Sequence, residues 1–208
     1  MIPENKQLLI VFVKNSLIGK VKTRLAKSIG DAGALKVYEE LVDITENETN
    51  RLEGTDIHIY FSDQIIDSKW QGKKKFLQEG EDLGKRMQNA FQNGFDRGYE
   101  KIIGIGSDLP DLNADVMNEG LAALTDSETV FGPSDDGGYY LIGMQKMVNN
   151  IFEQKPWSTD QLLGVTLSEL GRKAISFRLL ATLNDIDTIE DLKASSISHK
   201  FKEYYELS

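Results

Sequence analysis

The amino-acid sequence predicts an α/β fold, a three-layer α/β/α sandwich whose sheet is mainly parallel. Short apolar runs of strand length alternate along the chain with longer segments whose apolar residues have helical spacing. The first run, LLIVFVK at residues 8–14, is continuously apolar, which is typical of a strand buried on both faces. Alternation of this kind indicates a parallel sheet covered by helices on both sides.

The remaining strands are predicted from short apolar or alternating runs that end at glycine, proline or polar residues. They fall at residues 56–62, 101–106, 138–144 and 174–180, with a further short strand in TVFGP. The last of the numbered runs, AISFRLL, is followed directly by the acidic stretch NDIDTIEDL.

The helices are predicted from apolar residues three to four positions apart and from their capping residues. Thr188 and Asp191 resemble a capping box in which Asp replaces the usual Glu or Gln. Asn113 is a residue type that commonly caps the start of a helix. Gly171 is expected to end the helix that begins at Ser158. The predicted helices cover about 31–50 and 81–97, and three more begin at Asn113, Ser158 and Thr188.

Composition limits the class of protein. The 208 residues, 40% of them hydrophobic, suit a single domain over residues 1–208. The absence of cysteine excludes disulfides and thiolate metal sites, and two histidines are too few for a histidine metal centre. A net charge of −9 argues against nucleic-acid binding. The sequence shows no membrane-spanning run and no signal-peptide pattern, so we expect a cytoplasmic protein; it leaves open monomer or homodimer.

Charged residues follow the predicted strands. Between Lys6 and Gly30 there are six Lys or Arg residues and no Asp or Glu, despite the acidity of the whole chain. Carboxylates follow the other strands. Because ligands of such sheets bind beyond the carboxyl ends of the strands, we expect these groups to share one rim. The basic residues are Lys14, Lys20, Lys22 and Arg24, and the acidic ones are Asp63, Asp108, Asp135, Asp136, Asp185 and Asp187.

A cationic loop that faces carboxylates suits a nucleotide diphosphate held with Mg²⁺ or Mn²⁺. Simpler interpretations stay open for single residues. Asp108 in SDLP is also a plain turn residue, and Asp187 is also explained by helix capping. Arg86, in the first turns of its helix, faces either an anion or solvent. The sequence lacks a P-loop, a dinucleotide fingerprint and a G-x-S-x-G elbow.

Six stretches in order give the chain a resemblance that spans roughly residues 8–193. They are VKNSLIGKVKTRLA, EGEDLGKRMQNAF, GIGSDLPDL, GPSDDGGYYLIGM, PWSTDQLL and NDIDTIEDL. The chain resembles the bacterial radical-SAM/selenodomain-associated transferase 1 family, within the nucleotide-diphospho-sugar transferase superfamily. The resemblance implies the glycosyltransferase-A-like fold, with a central mixed, mainly parallel sheet flanked by helices. It also implies a nucleotide or nucleotide-sugar as one partner and an unidentified small-molecule acceptor as the other.

The resemblance assigns expected roles to individual residues. It implies that Lys22 and Arg24 hold phosphates, and that Asp108 binds the metal at the place of a D-x-D motif. Pro110 stands where that motif has its second carboxylate, so Asp136 or Asp187 is expected to complete the metal site. The expected catalytic residues are Lys22, Arg24, Asp108 and Asp136. The expected nucleotide-binding residues are Lys14, Gly19, Lys22, Thr23, Arg24, Gly80, Asp82 and Arg86, and Gly137, Gly138 and Tyr139 are expected to shape the acceptor side.

Three functions remain open on the sequence. The first is a metal-dependent glycosyltransferase that uses a nucleotide-diphospho-sugar, with Asp136 activating the acceptor hydroxyl. The second is a nucleotidyltransferase that acts on a small phosphorylated substrate, because KTRL is similar to the basic loop of phospholactate guanylyltransferases. The missing G-x-G-x-R loop counts against it. The third is a non-catalytic nucleotide-binding module, favoured by the missing D-x-D carboxylate.

Overall fold

Seven strands and five α-helices make up residues 3–206, the part of the chain that this computed structural model describes. The strands are β1 (Gln7–Val13), β2 (Thr55–Phe61), β3 (Lys74–Leu77), β4 (Lys101–Ile105), β5 (Thr129–Pro133), β6 (Tyr139–Met144) and β7 (Phe177–Leu179). The helices are α1 (Thr23–Thr49), α2 (Leu83–Asp96), α3 (Ala114–Ala123), α4 (Leu162–Arg172) and α5 (Ile189–Ala194). Short 3₁₀ turns lie at Asn149–Ile151, Ser198–Lys200 and Lys202–Tyr204.

All seven strands belong to one sheet, in the order β3-β2-β1-β4-β6-β5-β7. Among these strands β6 alone runs antiparallel to its neighbours, which confirms the prediction of a mixed, mainly parallel sheet. The chain passes from β1 to β2 on one side and later returns to place β4 on the other side of β1. The carboxyl ends of β1 and β4 therefore border the crevice where ligands bind in such sheets.

The side chains of β1 show how the two faces are covered. Leu9 and Val11 pack with residues of α1 and α3 on one face. Leu8 and Ile10 pack with residues of α2 and α4 on the other. Because successive strand residues point to opposite faces, the continuous apolar run of β1 fills both helix-covered layers. The three-layer arrangement is confirmed.

Several predicted boundaries are wrong for local reasons. Helix α1 consists of two helical segments joined at Gly30, where φ of +75° and ψ of 161° are not helical. The segment after Gly30 confirms the helix predicted over about 31–50, and the segment over 23–29 is missing from the prediction. Helix α4 begins at Leu162, because Ser158 has a left-handed backbone with φ of +62°. Strand β7 covers only three residues of the predicted 174–180 run. Strand β3 is missing from the prediction because its sequence, KKFL, is a short polar edge strand.

The N-caps predicted at Asn113 and Thr188 are confirmed, whereas Gly171 lies inside α4, which ends at Arg172 and is capped by Lys173. Asn113 accepts hydrogen bonds from the backbone amides of Asp115 and Val116, and so satisfies two free donors at the start of α3. The Thr188 side chain accepts from the amide of Asp191, whose carboxylate accepts in return from the amide of Thr188. None of the helices in residues 3–206 is long and apolar enough to span a bilayer.

Candidate active site

A cavity of about 740 Å³ opens at the carboxyl ends of β1 and β4. We call it the basic cavity, because the loop after β1 contributes most of its charged wall. Asp108, Asp136 and Asp187 lie on the same wall, so the predicted rim of cations and carboxylates exists. The basic lining residues and their neighbour at the start of α1 are Lys14, Lys20, Lys22, Thr23 and Arg24.

Lys22 is the centre of the charged cluster. Its Nζ lies 3.0 Å from Asp108 Oδ2, 3.2 Å from Asp185 Oδ2 and 3.7 Å from Asp187 Oδ1. Only 5% of the Lys22 side chain is exposed. Burial opposes its charge, but the carboxylates of Asp108 and Asp185 outweigh burial and raise the pKa of Lys22 above its ordinary value. Lys22 is therefore a buried, permanently charged ammonium and not a solvated loop lysine.

Local sequence brings the carboxylates to this point. Asp185 and Asp187 are two residues apart in the segment between β7 and α5, and their carboxylates lie 3.2 and 3.7 Å from Lys22 Nζ. Ile186, between them, is buried in the cluster formed by α1 and α5. Asp108 follows β4 directly, and Leu109 is buried in the central core. Buried apolar neighbours thus hold each carboxylate toward the crevice.

The Asp185 carboxyl has a raised pKa. Burial raises its pKa above the ordinary value, and the negative charges of Asp108 and Asp187 act in the same direction. The charge of Lys22 lowers it but does not compensate. The cluster holds three carboxylates around one buried ammonium, with Arg24 contributing a further contact of 3.2 Å to Asp187 from an exposed position.

Tyr38 connects the two strand ends. Its hydroxyl donates to the carbonyl oxygen of Lys14 at 2.8 Å and accepts from the Lys14 amide at 3.0 Å. The same hydroxyl lies 3.2 Å from the hydroxyl of Ser107, next to Asp108. Burial raises the pKa of Tyr38 to about 12, so the hydroxyl keeps its proton at neutral pH. Tyr38 therefore fixes the start of the basic loop against the Asp108 turn.

Asp136 lies on a tight turn between β5 and β6. Its Oδ1 accepts from the hydroxyl of Ser134 and, at 2.9 Å, from the amide of Gly138. Both bonds go to one oxygen, which leaves Oδ2 for another group. Gly137 has φ of +84°, and a Cβ there would lie 2.1 Å from the carbonyl oxygen of Asp160. The turn is thus packed against the segment before α4.

A second cavity, of about 330 Å³, adjoins the basic cavity beneath this turn. We call it the apolar cavity. Its apolar lining includes Phe12, Met87, Tyr139, Trp157 and Leu162. Helix α2 approaches the Trp157 segment at Gly84, where a Cβ would lie 2.7 Å from Trp157 Nε1. The Trp157 ring is perpendicular to that of Tyr139, with centroids 6.4 Å apart.

The structure places other predicted site residues outside both cavities. Asp82 caps α2, since its side chain accepts from the Lys85 amide at 2.7 Å. Arg86 donates to the carbonyl oxygen of Gly80 and lines a separate depression beside Tyr60. Gly19 has φ of +72° in the turn closed by a bond from the Lys20 amide to Leu17, so it shapes the basic loop without lining the cavity.

Two of the strand-end aspartates have local partners. The backbone amide of Asp135 donates to Asn184 Oδ1 at 3.0 Å, and Asn184 Nδ2 donates to the Asp135 carboxylate at 2.6 Å. This pair ties the β5–β6 turn to the segment that carries Asp185. Asp63 accepts from the hydroxyl of Ser62, and its amide donates to Asn15. The structure therefore brings together Asp108, Asp136 and Asp187 at the cavities, and places Asp63 and Asp135 in loop contacts.

A divalent cation suits the carboxylate cluster chemically. Carboxylate oxygens are the ligands that Mg²⁺ and Mn²⁺ prefer, and Mg²⁺ commonly takes only one or two of them. Asp108, Asp185 and Asp187 already converge on one cationic position, which the Lys22 ammonium holds. Across residues 3–206, no group of three or more His, Cys, Asp or Glu side chains has the arrangement of a preformed metal site. A metal here would use carboxylates that now pair with Lys22.

Three residues of the site were given no catalytic, nucleotide-binding or metal-binding role from the sequence, although Asp185 was expected at the rim. Asp185 has a sequence signal, its i,i+2 spacing from Asp187 in NDID. Tyr38 fits the apolar face of a predicted helix, and no neighbouring residue in the sequence marks it as part of a site. Leu83 lines both cavities with an exposed side chain, which the helical pattern alone does not reveal.

Comparison with known proteins places the chain in a defined group. The family described as "Uncharacterized protein conserved in bacteria (DUF2064)" matches residues 47–159, more than half of the chain. The matched region includes the Asp108 turn, Asp136 and Trp157. No curated protein sequence matches the chain.

Solved structures match over almost the full length. A protein from Desulfovibrio desulfuricans G20, described as a "putative nucleotide-diphospho-sugar transferase", is 28% identical, with a TM-score of 0.86 over 96% of this chain and 98% of that one. The 4-diphosphocytidyl-2C-methyl-D-erythritol synthase of Anaerococcus prevotii is 11% identical, with a TM-score of 0.62 over 94% and 100%. A cytidylyltransferase of Leptospira borgpetersenii is 16% identical, with a TM-score of 0.56 over 98% and 94%. The chain has the nucleotide-diphospho-sugar transferase fold, as its motifs predict.

Proposed function

The chain belongs to the family described as "Uncharacterized protein conserved in bacteria (DUF2064)", and we propose that it is a metal-dependent transferase that uses a nucleotide-diphospho-sugar. A transferase is supported by the similarity to the Desulfovibrio protein over nearly the whole of both chains. Membership of the narrower radical-SAM/selenodomain-associated transferase 1 family is part of this proposal and is supported by the six ordered motifs.

The observation that carries the proposal is the pairing of a cationic wall with a carboxylate cluster in one cavity. Lys14, Lys20 and Arg24 line the basic cavity and suit the negative charges of a diphosphate. Asp108 and Asp187 lie on the same wall and suit the cation that accompanies a diphosphate. A solvated surface loop would need neither the buried ammonium of Lys22 nor three carboxylates around it.

Asp108 and Asp187, with Asp185, would hold Mg²⁺ or Mn²⁺. When bound, the ion would neutralise part of the charge on the diphosphate. Lys22 now pairs with the same carboxylates. When those carboxylates bind the ion, the Lys22 ammonium would be free to move toward the phosphates. The sequence-based expectation that Lys22 holds phosphates therefore applies to the liganded protein, whereas without ligand its partners are carboxylates.

In the proposed reaction, the acceptor hydroxyl oxygen forms a bond to the anomeric carbon of the donor sugar. The bond between that carbon and the diphosphate oxygen breaks, and the nucleoside diphosphate leaves with the electron pair. Asp136 Oδ2 takes the proton of the hydroxyl, since Oδ1 is engaged by Ser134 and Gly138. Lys20 and Arg24 stabilise the charge on the leaving diphosphate.

Nucleotidyl transfer is the second candidate, because the fold is shared with two cytidylyltransferases. In that reaction an acceptor oxygen bonds to the α-phosphorus of a nucleoside triphosphate and pyrophosphate leaves. The basic cavity would then hold the departing pyrophosphate. If nucleotides bind and no group is transferred, the protein is a non-catalytic nucleotide-binding module.

A thermal-shift screen with nucleoside triphosphates, nucleoside diphosphates and nucleotide-diphospho-sugars, each with and without Mg²⁺ or Mn²⁺, tests the proposal. Ligands that bind only the folded state raise its melting temperature. We expect a metal-dependent shift with diphosphates and diphospho-sugars that is reduced in Lys20→Ala and kept in Lys27→Ala, an exposed lysine outside the cavity. A shift with triphosphates alone would favour nucleotidyl transfer. The absence of any nucleotide-dependent shift would contradict both candidates.

A further inference from the structure

The two cavities are parts of one cleft. They share six lining residues along their border: Phe12, Leu83, Gly106, Asp108, Asp136 and Ser158. Transfer requires the acceptor atom and the reacting donor atom to be about 3–3.5 Å apart. An acceptor must therefore occupy space that is continuous with the basic cavity. The depression beside Arg86 and the cavity at Thr182–Ser195 share no lining residue with the basic cavity.

The charges of the apolar cavity select against phosphate. None of its 19 lining residues, all within residues 3–206, is Lys or Arg. Its ionisable carboxylates are Asp108, Asp136 and Asp185. Like charges held close together in a partly buried site repel each other strongly. Asp108 and Asp185 share the single ammonium of Lys22, and Asp136 forms no salt bridge within residues 3–206. A phosphorylated acceptor in this cavity would therefore face an excess of negative charge.

The size and the aromatic lining of the apolar cavity suit a cyclic ligand. The aromatic side chains of Phe12, Tyr139 and Trp157 lie with Met87 and Leu162 around a volume of about 330 Å³, which is at the small end for ligand sites. Aromatic walls bury an apolar or partly apolar ring, and the carboxylates at the border accept hydrogen bonds from hydroxyl groups. The close approach of α2 at Gly84 and the ion pair of the buried Lys155 with the partly exposed Glu169 hold the Trp157 segment in place.

We propose that the apolar cavity binds the acceptor, and that this acceptor is an uncharged, hydroxyl-bearing ring compound without a phosphate group. The inference rests on the proposed function, which places the donor diphosphate in the basic cavity. It narrows the acceptor class, because it excludes the small phosphorylated substrate expected for the nucleotidyltransferase alternative. The acceptor hydroxyl would lie at the border, where Asp136 is.

Trp157 reports on the occupancy of the apolar cavity, because the other tryptophan, Trp70, is fully buried beside Phe61. The test is a fluorescence titration with two matched probes, phenyl β-glucoside and phenyl phosphate. We expect the glucoside to change the emission of Trp157 with a Kd at least tenfold lower than that of phenyl phosphate. Trp157→Phe should abolish the change.

A charge variant tests the reason for the selectivity. Thr159 is exposed and lines the apolar cavity. Thr159→Arg should improve phenyl phosphate binding at least tenfold over Thr159→Gln, which has a similar size and no charge. Equal gains in the two variants would overturn the charge argument.

Nucleotide binding, measured on the same protein by calorimetry, separates the two proposals. If nucleotides bind and phenyl β-glucoside does not, or if phenyl phosphate binds as well as the glucoside, this inference is wrong and the proposed function stands. A Trp157 response to the nucleotide alone would show that the nucleoside occupies the apolar cavity, which also overturns the inference. If no nucleotide binds, the proposed function itself fails.

Discussion

Lys22 Nζ lies 3.0 Å from Asp108 Oδ2, although 86 residues separate the two in the chain. The contact joins the loop after β1 to the loop after β4 at the border between the two strands. Asp185 and Asp187 approach the same ammonium from the last loop of the fold. The buried ammonium is thus shared by three carboxylates and offsets part of the repulsion between them.

Lys22→Met should destabilise the protein at neutral pH by about 1–3 kcal/mol, because it leaves carboxylates without a cation and the sites are partly exposed. Millimolar Mg²⁺ should recover much of this loss if the carboxylates bind the ion. Urea unfolding with and without Mg²⁺ measures both effects. Lys20→Met, at an exposed lysine of the same loop, is the control and should leave stability nearly unchanged. Equal stability of Lys22→Met and wild type would refute the counter-ion role.

Lys20→Ala should weaken the binding of a nucleoside diphosphate about tenfold at low ionic strength, since a charge-assisted contact is lost. The difference from wild type should shrink in high salt, because salt screens exposed charges. Calorimetric titrations at two salt concentrations give the comparison. Lys27→Ala removes the same charge from an exposed position outside the cavity and should bind like wild type. A salt-insensitive Kd in both proteins would contradict the phosphate site.

The position of the rim could be predicted from the sequence because parallel strands end at the same edge. Asp108 follows a continuously apolar strand, and the basic loop follows another, so their proximity depends only on the sheet type. The partners within the rim could not be predicted. Lys22 and Asp185 meet only through the tertiary arrangement of three loops, and no spacing along the chain encodes it.

The direction in which the Arg86 side chain points could not be predicted from the sequence either. Arg86 lies in the first turns of α2, and both a ligand and solvent were compatible with that position. In the structure it turns back to the carbonyl oxygen of Gly80, away from the cavities. The edge strand β3 was missed because the period-two pattern needs a buried face, and KKFL has no fully buried residue.

Gly137→Ala should destabilise the protein by about 1–3 kcal/mol or more, because φ is +84° and the new Cβ would lie 2.1 Å from the Asp160 carbonyl oxygen. The same change should displace Asp136 and reduce transfer activity more than nucleotide binding. Gly164→Ala is the control: it lies within α4 with no atom within 4 Å of the added Cβ. It should stabilise the helix by about 0.5–1 kcal/mol. Thermal unfolding of the two variants should shift in opposite directions, and a common shift would contradict the prediction.

His58 should make stability depend on pH. It is buried on β2 between the rings of Phe76 and Tyr99. Burial, aided by the charges of Lys74 and Arg97, lowers the pKa of His58 from 6.5 to about 4. Between these values the unfolded chain binds a proton that the folded protein does not. The stabilisation is therefore complete above about pH 6.5 and is lost as the pH falls toward 4.

The wild-type protein should accordingly lose about 2 kcal/mol between pH 7 and pH 5 through this group alone. His58→Leu removes the titrating group and should show a smaller loss over the same interval. Tyr60→Phe is the matched control, because Tyr60 packs on Phe76 in the same cluster and burial raises its pKa to about 12. It should keep the wild-type pH dependence. Urea unfolding at the two pH values measures these losses. Equal losses in His58→Leu and wild type would show that His58 has the same pKa in the folded and unfolded protein, which would contradict the prediction.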